Sequence, residues 1–367
     1  MYSKKSKKNK PKIAFVSFFN FTDGGHGAAE VSKGFYESLN NKTFIKKYFQ
    51  FNEKKVFNKS YYLLGILKIF YVIKVSISIV IFLKSAKKKI IFVEGASWIG
   101  FTFILYCIVK SLNKKILFIY HAHNIEYQIR KKNIFIIQKI SFFLESFIYK
   151  FSDFATVVSA NDKKEIKKLY KTDSIVLENG ISKKQLKIYK KKILNKKYYL
   201  YSGSYLYHPN KVAIDELVNK IHPQILKLDS KLNLVITGNG LPKSIYTKKN
   251  IIYIPFLKRE KFNSLIKYSE FLLFPLRKAP GTKLKVIDGL VLGKQVISTK
   301  YGISGINALN KKQPYKYTNL HQLIEFLKFY KKNKLKIKLF NKKISVKYKK
   351  KYLIENLIIN FFKKINY

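Results

Sequence analysis

Short runs of apolar, mostly β-branched residues alternate along this chain with longer segments whose apolar positions recur at three- and four-residue intervals. The first pattern suits strands buried on both faces and the second suits helices packed on them, so the alternation predicts parallel sheets covered by helices. Lys12–Phe18 reads as the opening strand, followed by a polar, glycine-bearing loop over Asn20–Gly27 and a helix over Ala28–Leu39. Strands at Ile90–Glu94, Ile116–Tyr120 and Ala155–Val158 alternate with helices over Trp98–Ser111, Asn133–Phe151 and Lys163–Tyr170. Ser159, Asn161 and Asp162 supply capping chemistry for the last of these helices. After Ile175–Leu177 and the turn Asn179–Gly180, the Lys-rich stretch Ser182–Lys197 loses apolar periodicity and marks a domain boundary.

The series then begins again. Strands are expected at Tyr198–Ser202, Leu232–Thr237, Ile251–Ile254, Phe271–Phe274 and Gln295–Ser298, with helices over Lys211–Leu228, Lys261–Tyr268 and Thr282–Leu292. This pattern divides the chain into an N-terminal α/β domain over residues 12–185, a second over 198–334, and a basic helical tail over 335–367. Ligands of such sheets bind beyond the carboxyl ends of the strands, so two halves predict a cleft between them.

Composition changes the picture in two places. The 367 residues are 47% hydrophobic and 16% aromatic, which excludes a disordered chain. The formal charge is +54, yet only three of the 74 basic residues are arginine (Arg130, Arg259 and Arg277) and the rest are lysines spread along the whole length. Nucleic-acid readers favour the planar arginine fork, and no reader motif accompanies these lysines, so no nucleic-acid partner is expected. The summed field would still draw the chain to anionic membranes or phosphorylated substrates. Cys107 is the single cysteine, which fits a reducing compartment and a structural thiol. Met1–Lys12 lacks an apolar signal core, and Lys68 and Lys74 interrupt the apolar stretch Tyr61–Leu83. A buried or membrane-surface helix is expected there rather than a span.

The segment richest in chemistry is Pro275–Gly305. Gly281 and Thr282 stand where a helix should begin, and free amide groups and the dipole at a helix start suit a diphosphate. Lys283 and Lys285 add positive charge, and Asp288, in the second turn, is placed to accept bonds from sugar hydroxyls. A capped helix with surface lysines would carry the same pattern. His121 and His123 follow the strand Ile116–Tyr120, but neither cysteine nor a carboxylate cluster accompanies them, Glu126 standing alone, so no metal is expected.

In this segment the sequence resembles the retaining glycosyltransferases of the GT-B fold, in the large group 1 branch. Phe274–Pro275, Gly281–Thr282–Lys283, Lys285, Asp288, Gly293–Lys294, Thr299, Gly302 and Gly305 follow the C-terminal pattern of that family. Upstream, Gly203–Ser204 with Tyr207–His208–Pro209–Asn210, and Gly238 and Gly240 in LVITGNG, resemble the opening and central turn of the same domain. In the first half, Gly24–Gly25, His123–Asn124–Ile125–Glu126, and Asp153 to Ser159 with Asn179–Gly180 are similar to its N-terminal elements. The likeness runs from about Lys12 to Ile306. The family places a second acidic residue eight positions before the one matched by Asp288, where this chain has Pro280.

The resemblance implies two Rossmann-like domains facing across a cleft, the first for the acceptor and the second for a nucleoside-diphosphate sugar. It implies transfer of a hexose-type unit with retention, needing no cofactor or metal. The donor would be held by Gly203, Ser204, Gly238, Gly240, Gly281, Thr282, Lys283, Lys285 and Asp288, with Asp288 on the ribose. His123 would contact the transferred sugar, with His121 as the alternative and Gly24, Gly25 and Asn124 beside it. A carbohydrate or lipid-linked acceptor, a role in surface polysaccharide or glycolipid synthesis, and a peripheral place on the cytoplasmic membrane face complete the expectation. A non-catalytic protein of this fold that binds membranes or polyanions is the rival that Pro280 and the net charge motivate.

Overall fold

The computed structural model describes residues 10–17, 27–39, 43–50, 61–95, 99–130, 135–277, 282–310 and 312–366. Gly24, Gly25, Pro280 and Gly281 lie outside the described residues. The chain divides into two compact units, Met1–Glu178 with Ile358–Tyr367, and Asn179–Leu357.

The first unit is built on a six-stranded sheet of β1 (Lys12–Ser17), β2 (Ile45–Gln50), β3 (Lys89–Gly95), β4 (Leu117–Ala122), β5 (Phe154–Val157) and β6 (Ile175–Val176). Its order is β2-β1-β3-β4-β5-β6 and every pairing is parallel. Strand β2 has no counterpart in the sequence reading, because its IKKYFQ pattern carries charges in mid-strand. Lys46 is accommodated there because its ammonium donates to the carbonyls of Tyr36 and Leu39, at the end of the preceding helix.

Helices α1 (Gly27–Ser38), α2 (Tyr61–Lys84), α3 (Ile99–Leu112), α4 (Phe135–Phe151) and α5 (Ala160–Tyr170) complete this unit. Strand residues alternate between two covered faces. Ala14, Val16, Ile91, Val93, Phe118 and Tyr120 form one core with the buried sides of α2, α3 and α4. Phe15 and Phe92 stack on the other face, where Phe35 of α1 joins Phe92. The expected cap holds, with the Ser159 hydroxyl accepting from the amide of Asp162 at 3.1 Å.

Helix α2 buries Val72, Val75, Ser76, Ile79 and Leu83 on one stripe and leaves Ile69, Phe70, Ile77 and Ile81 exposed. Ser76 is tolerated in that stripe because its hydroxyl donates to the Val72 carbonyl one turn back. No helix among the described residues is long and apolar enough to cross a membrane.

The second unit carries β7 (Tyr198–Ser202), β8 (Asn233–Thr237), β9 (Ile251–Ile254), β10 (Phe271–Phe274), β11 (Gln295–Ser298) and β12 (Tyr315–Lys316), also all parallel. The order is β12-β11-β10-β7-β8-β9. Helices α6 (His208–Glu216), α7 (His222–Leu228), α8 (Arg259–Tyr268), α9 (Leu284–Val291), α10 (Leu320–Lys332) and α11 (Lys334–Tyr352) belong to it. The single helix expected over Lys211–Leu228 is interrupted by a π-type turn at Leu217–Ile221. Pro223 lacks the amide that would continue the α ladder there.

The basic segment expected as a tail from Leu335 is divided between the units. Ile344, Tyr348 and Tyr352 of α11 are part of the second core. The hydroxyls of Tyr348 and Tyr352 accept from the amides of Leu309 and Asn307 at 3.0 and 3.1 Å. The chain then enters α12 (Ile354–Lys364), and from Ile358 it belongs to the first unit, where Phe362 packs on Phe44. The lysines concealed this in the sequence, because the buried positions of α11 (Asn341, Ile344, Ser345, Tyr348 and Tyr352) are spaced among them and only one is aliphatic.

Candidate active site

In the second sheet, β7, β8 and β9 step outward in one direction and β10, β11 and β12 in the other. The order therefore reverses between β7 and β10, and crevices at the carboxyl ends of such a switch are where α/β sheets hold ligands. Lys285 sits there. Its ammonium donates to the carbonyl of Ser202, the last residue of β7, at 2.5 Å and to Asn210 Oδ1 at 3.2 Å. It also lies 4.7 Å from the ring centre of Tyr201 and 5.2 Å from that of Phe274, on β7 and β10. Burial, and then the neighbouring Lys283, push the Lys285 ammonium down to about 7, and burial brings Lys283 to about 8. Burial thus leaves both ammonium groups partly desolvated, an arrangement that an incoming anion would complete.

The loops around Lys285 are those expected from the sequence. Gly203 and Ser204 follow β7, and the Ser204 carbonyl accepts from the Asn210 side-chain amide at 3.0 Å. Gly238 and Gly240 follow β8. Gly238 has φ +140°, and a Cβ there would lie 2.4 Å from the Gly203 carbonyl oxygen. Only glycine permits this meeting of the two loops. Replacing Gly238 with alanine should cost about 1–3 kcal/mol of stability from backbone strain alone and should part the loops. A thermal melt and a nucleotide-binding isotherm check both, and wild-type values for the variant would show that the approach is not needed.

Two expectations for this segment need correction. Helix α9 begins at Leu284, with Lys283 in extended backbone as its cap, rather than at Thr282. The Thr282 hydroxyl is buried without a hydrogen-bond partner. Asp288, expected to face sugar hydroxyls, is buried, and both of its oxygens accept from the Arg259 guanidinium, Oδ2 at 3.1 Å from Nη1 and Oδ1 close to Nη2. Arg259, at the start of α8, also donates to the Gln185 carbonyl at 3.2 Å. The sequence reading missed this partner because Arg259 lies far from the motif in the chain.

In the first sheet, four polar residues stand side by side in register at the carboxyl ends of adjacent strands: Ser17 beside Glu94, Glu94 beside His121, and His121 beside Thr156. All four are 0% exposed. His123, two residues beyond His121, is 7% exposed, and its ring lies edge-on to that of His121 at 4.9 Å. Glu94 Oε2 accepts from the Ser32 hydroxyl of α1 at 3.1 Å and is paired with His123 Nε2. Burial pushes the His121 imidazole down to about 3. Burial alone would raise the Glu94 carboxyl, but the charges of His123 and His121 and the bonds from His123 and Ser32 hold it below the usual range. Asn124 is exposed in the loop that follows.

Glu94 is the residue that sequence reasoning did not connect with the histidines. The carboxylate considered for them was Glu126, which is buried instead with Arg130 at 3.5 Å. The missed signal was a glutamate at the end of an otherwise apolar strand, IIFVEG.

Comparison with known proteins places this geometry. Residues 196–315 match the family model described as "Glycosyl transferases group 1". None of the curated proteins matches the chain in sequence. Among solved structures, the sucrose-phosphate synthase of Thermosynechococcus elongatus is similar with a TM-score of 0.70 and 11% identity, over 97% of this chain and 98% of that one. HepE of Anabaena in complex with UDP-glucose gives 0.67 and 12% identity, over 97% and 99%. A glycosyltransferase of Rickettsia africae gives 0.66 and 12%, over 97% of both chains. At such identities the likeness establishes the fold, which is GT-B.

Proposed function

We propose that the chain, whose residues 196–315 match the group 1 glycosyl transferase model, moves a sugar from a nucleoside-diphosphate sugar to an acceptor hydroxyl. The proposal includes retention of anomeric configuration and a role in surface polysaccharide or glycolipid synthesis. The observation that carries it is Lys285, held at the switch point between β7 and β10 with Lys283 beside it. Negative charge grows on the departing diphosphate in the transition state, and fixed cations aimed at it supply electrostatic stabilisation. The similar HepE structure holds UDP-glucose, which makes that nucleotide sugar the first probe. In the first unit, His123 has Nε2 engaged by Glu94, leaving Nδ1 as the nitrogen for a sugar hydroxyl.

The test is release of nucleoside diphosphate from UDP-, GDP- and ADP-sugars in the presence of sugar and lipid-linked acceptors. Acceptor-dependent release is expected with one donor class. Thermal stabilisation by nucleoside diphosphates without any release would leave only a binding role.

Donor binding should also take up a proton. In the free protein, Lys285 titrates near 7 and Lys283 near 8, so both lose charge as the pH rises through that range. A bound diphosphate favours the charged forms and raises both values, so affinity for UDP-glucose should be highest below pH 7 and fall up to about pH 9. Calorimetry at pH 8 in buffers of differing ionisation enthalpy reads the proton directly, and a buffer-independent enthalpy would exclude these lysines from the contact.

A peripheral membrane location is part of the same proposal. The exposed apolar residues of α2, together with Phe135, Ile136, Ile140 and Phe143 of α4, are accompanied by exposed Lys74, Lys84, Lys139 and Lys150. Apolar residues interleaved with lysines suit an anionic bilayer surface. The protein should co-sediment with vesicles rich in phosphatidylglycerol and leave them at high salt, and Ile140→Ser with Phe143→Ser should weaken this several-fold. Retention through alkaline carbonate would contradict peripheral attachment.

A further inference from the structure

The row of polar residues at the end of the first sheet contains a deficit of donors. Thr156 Oγ1 donates to the Tyr120 carbonyl at 3.2 Å, so towards His121 Nδ1, at 2.7 Å, it acts as the acceptor. In that arrangement the proton of His121 sits on Nδ1, and Nε2 presents a bare lone pair. That nitrogen is buried and has no hydrogen-bond partner. Glu94 Oε1 is likewise buried and has none. Two unpaired buried acceptors are costly unless a donor or a cation reaches them.

One ligand atom from each of Glu94, His121 and His123 lies within 4.8 Å of the others. Relaxation of the side chains by a fraction of that distance brings them to the spacing around a bound ion. We propose that Glu94, His121 and His123 form a binding site for a divalent transition-metal ion of the zinc type. Two imidazoles and one carboxylate are a donor set suited to such ions, and three protein ligands leave a position for water or a ligand oxygen. The open side is that of His123, the only one of the three with any exposure. Thr156 takes the outer role, fixing the His121 ring and its tautomer through Nδ1. The strand register explains why the set comes together: Glu94 and His121 are direct neighbours on β3 and β4, and His123 follows on the same face.

The experiment uses the full chain, stripped with a strong chelator and then titrated with Co²⁺ followed by visible absorption and with Zn²⁺ followed by calorimetry. One ion per chain is expected, with the Co²⁺ spectrum of a low-coordinate nitrogen–oxygen site. His121→Gln and Glu94→Gln should each weaken binding by at least about 100-fold, and Thr156→Val, outside the ligand set, by about 10-fold. His321→Gln, an exposed histidine on α10, should bind as wild type. If a ligand variant fails to fold, Thr156→Val decides. Absence of stoichiometric binding by the wild type would mean that a buried water bridges the two acceptors, and binding that survives His121→Gln or Thr156→Val would place the ion elsewhere. Either result overturns the site. The transfer reaction is tested separately by nucleoside-diphosphate release, so failure of one leaves the other standing.

Discussion

Lys285→Ala is expected to raise the dissociation constant for UDP-glucose about 10- to 150-fold. A charge-assisted hydrogen bond contributes about 1.5–3 kcal/mol, and 1.4 kcal/mol is a tenfold change in affinity. The ammonium is already positioned by the Ser202 carbonyl and Asn210, so little side-chain entropy remains to be lost when the diphosphate arrives. Its depressed pKa belongs to the same argument: the cation is under-solvated in the free protein, and an anion gives it what water cannot. Lys285→Arg should retain more affinity than Lys285→Ala but not all of it, because the planar fork does not reproduce the Ser202 contact. Lys347→Ala, at an exposed position of α11, controls for the general positive field. Calorimetry at low salt reads all three, and equal affinities for Lys285→Ala and Lys347→Ala would remove the switch point from the donor site.

The glycines and Lys285 were legible in the sequence because they act locally. Each glycine follows a strand whose apolar run is unmistakable, Lys285 lies in the first turn of the helix after one, and the carboxyl end of such a strand is where a ligand contact is expected. Gly238 meets Gly203, and Lys285 meets Ser202 beside it, because β7, β8 and β10 are neighbours in the sheet, and alternation of strand and helix already implied a parallel sheet. What stayed hidden depends on contacts between distant segments. Glu94 meets His121 and His123 through strand register, and Arg259 meets Asp288 across two helices. Composition concealed the remainder. In a chain where lysine occurs everywhere, a strand such as IKKYFQ and a helix such as α11 read as solvated surface. Their buried positions are largely aromatic or polar, Phe49 in the strand and Asn341, Ser345, Tyr348 and Tyr352 beside Ile344 in the helix, which a count of aliphatic residues misses.

Asp288→Asn separates the role implied by resemblance from the one that the geometry supports, and its main effect should be on stability. The carboxylate is 3% exposed and engages Arg259 through both oxygens, while Arg259 also ties α8 to the Gln185 carbonyl. Neutralising Asp288 leaves a guanidinium, 24% exposed, facing an amide that can offer only one acceptor oxygen. Breaking a buried ion pair from one side costs about 3–5 kcal/mol, and the partial exposure of Arg259 brings the expectation to about 2–4 kcal/mol. For a unit of this size, each kcal/mol lowers the melting temperature by about 2–4 °C, so the ligand-free second unit should melt roughly 5–15 °C earlier. Asp288→Asn combined with Arg259→Gln should recover part of the loss, because the pair then fails together rather than leaving an unpaired charge. A ribose contact predicts the opposite division: an unchanged ligand-free melt and a weakened UDP-glucose isotherm. That outcome would return Asp288 to the donor, and the recovered stability of the double variant would instead make the Arg259 pair the fastening between α8 and α9.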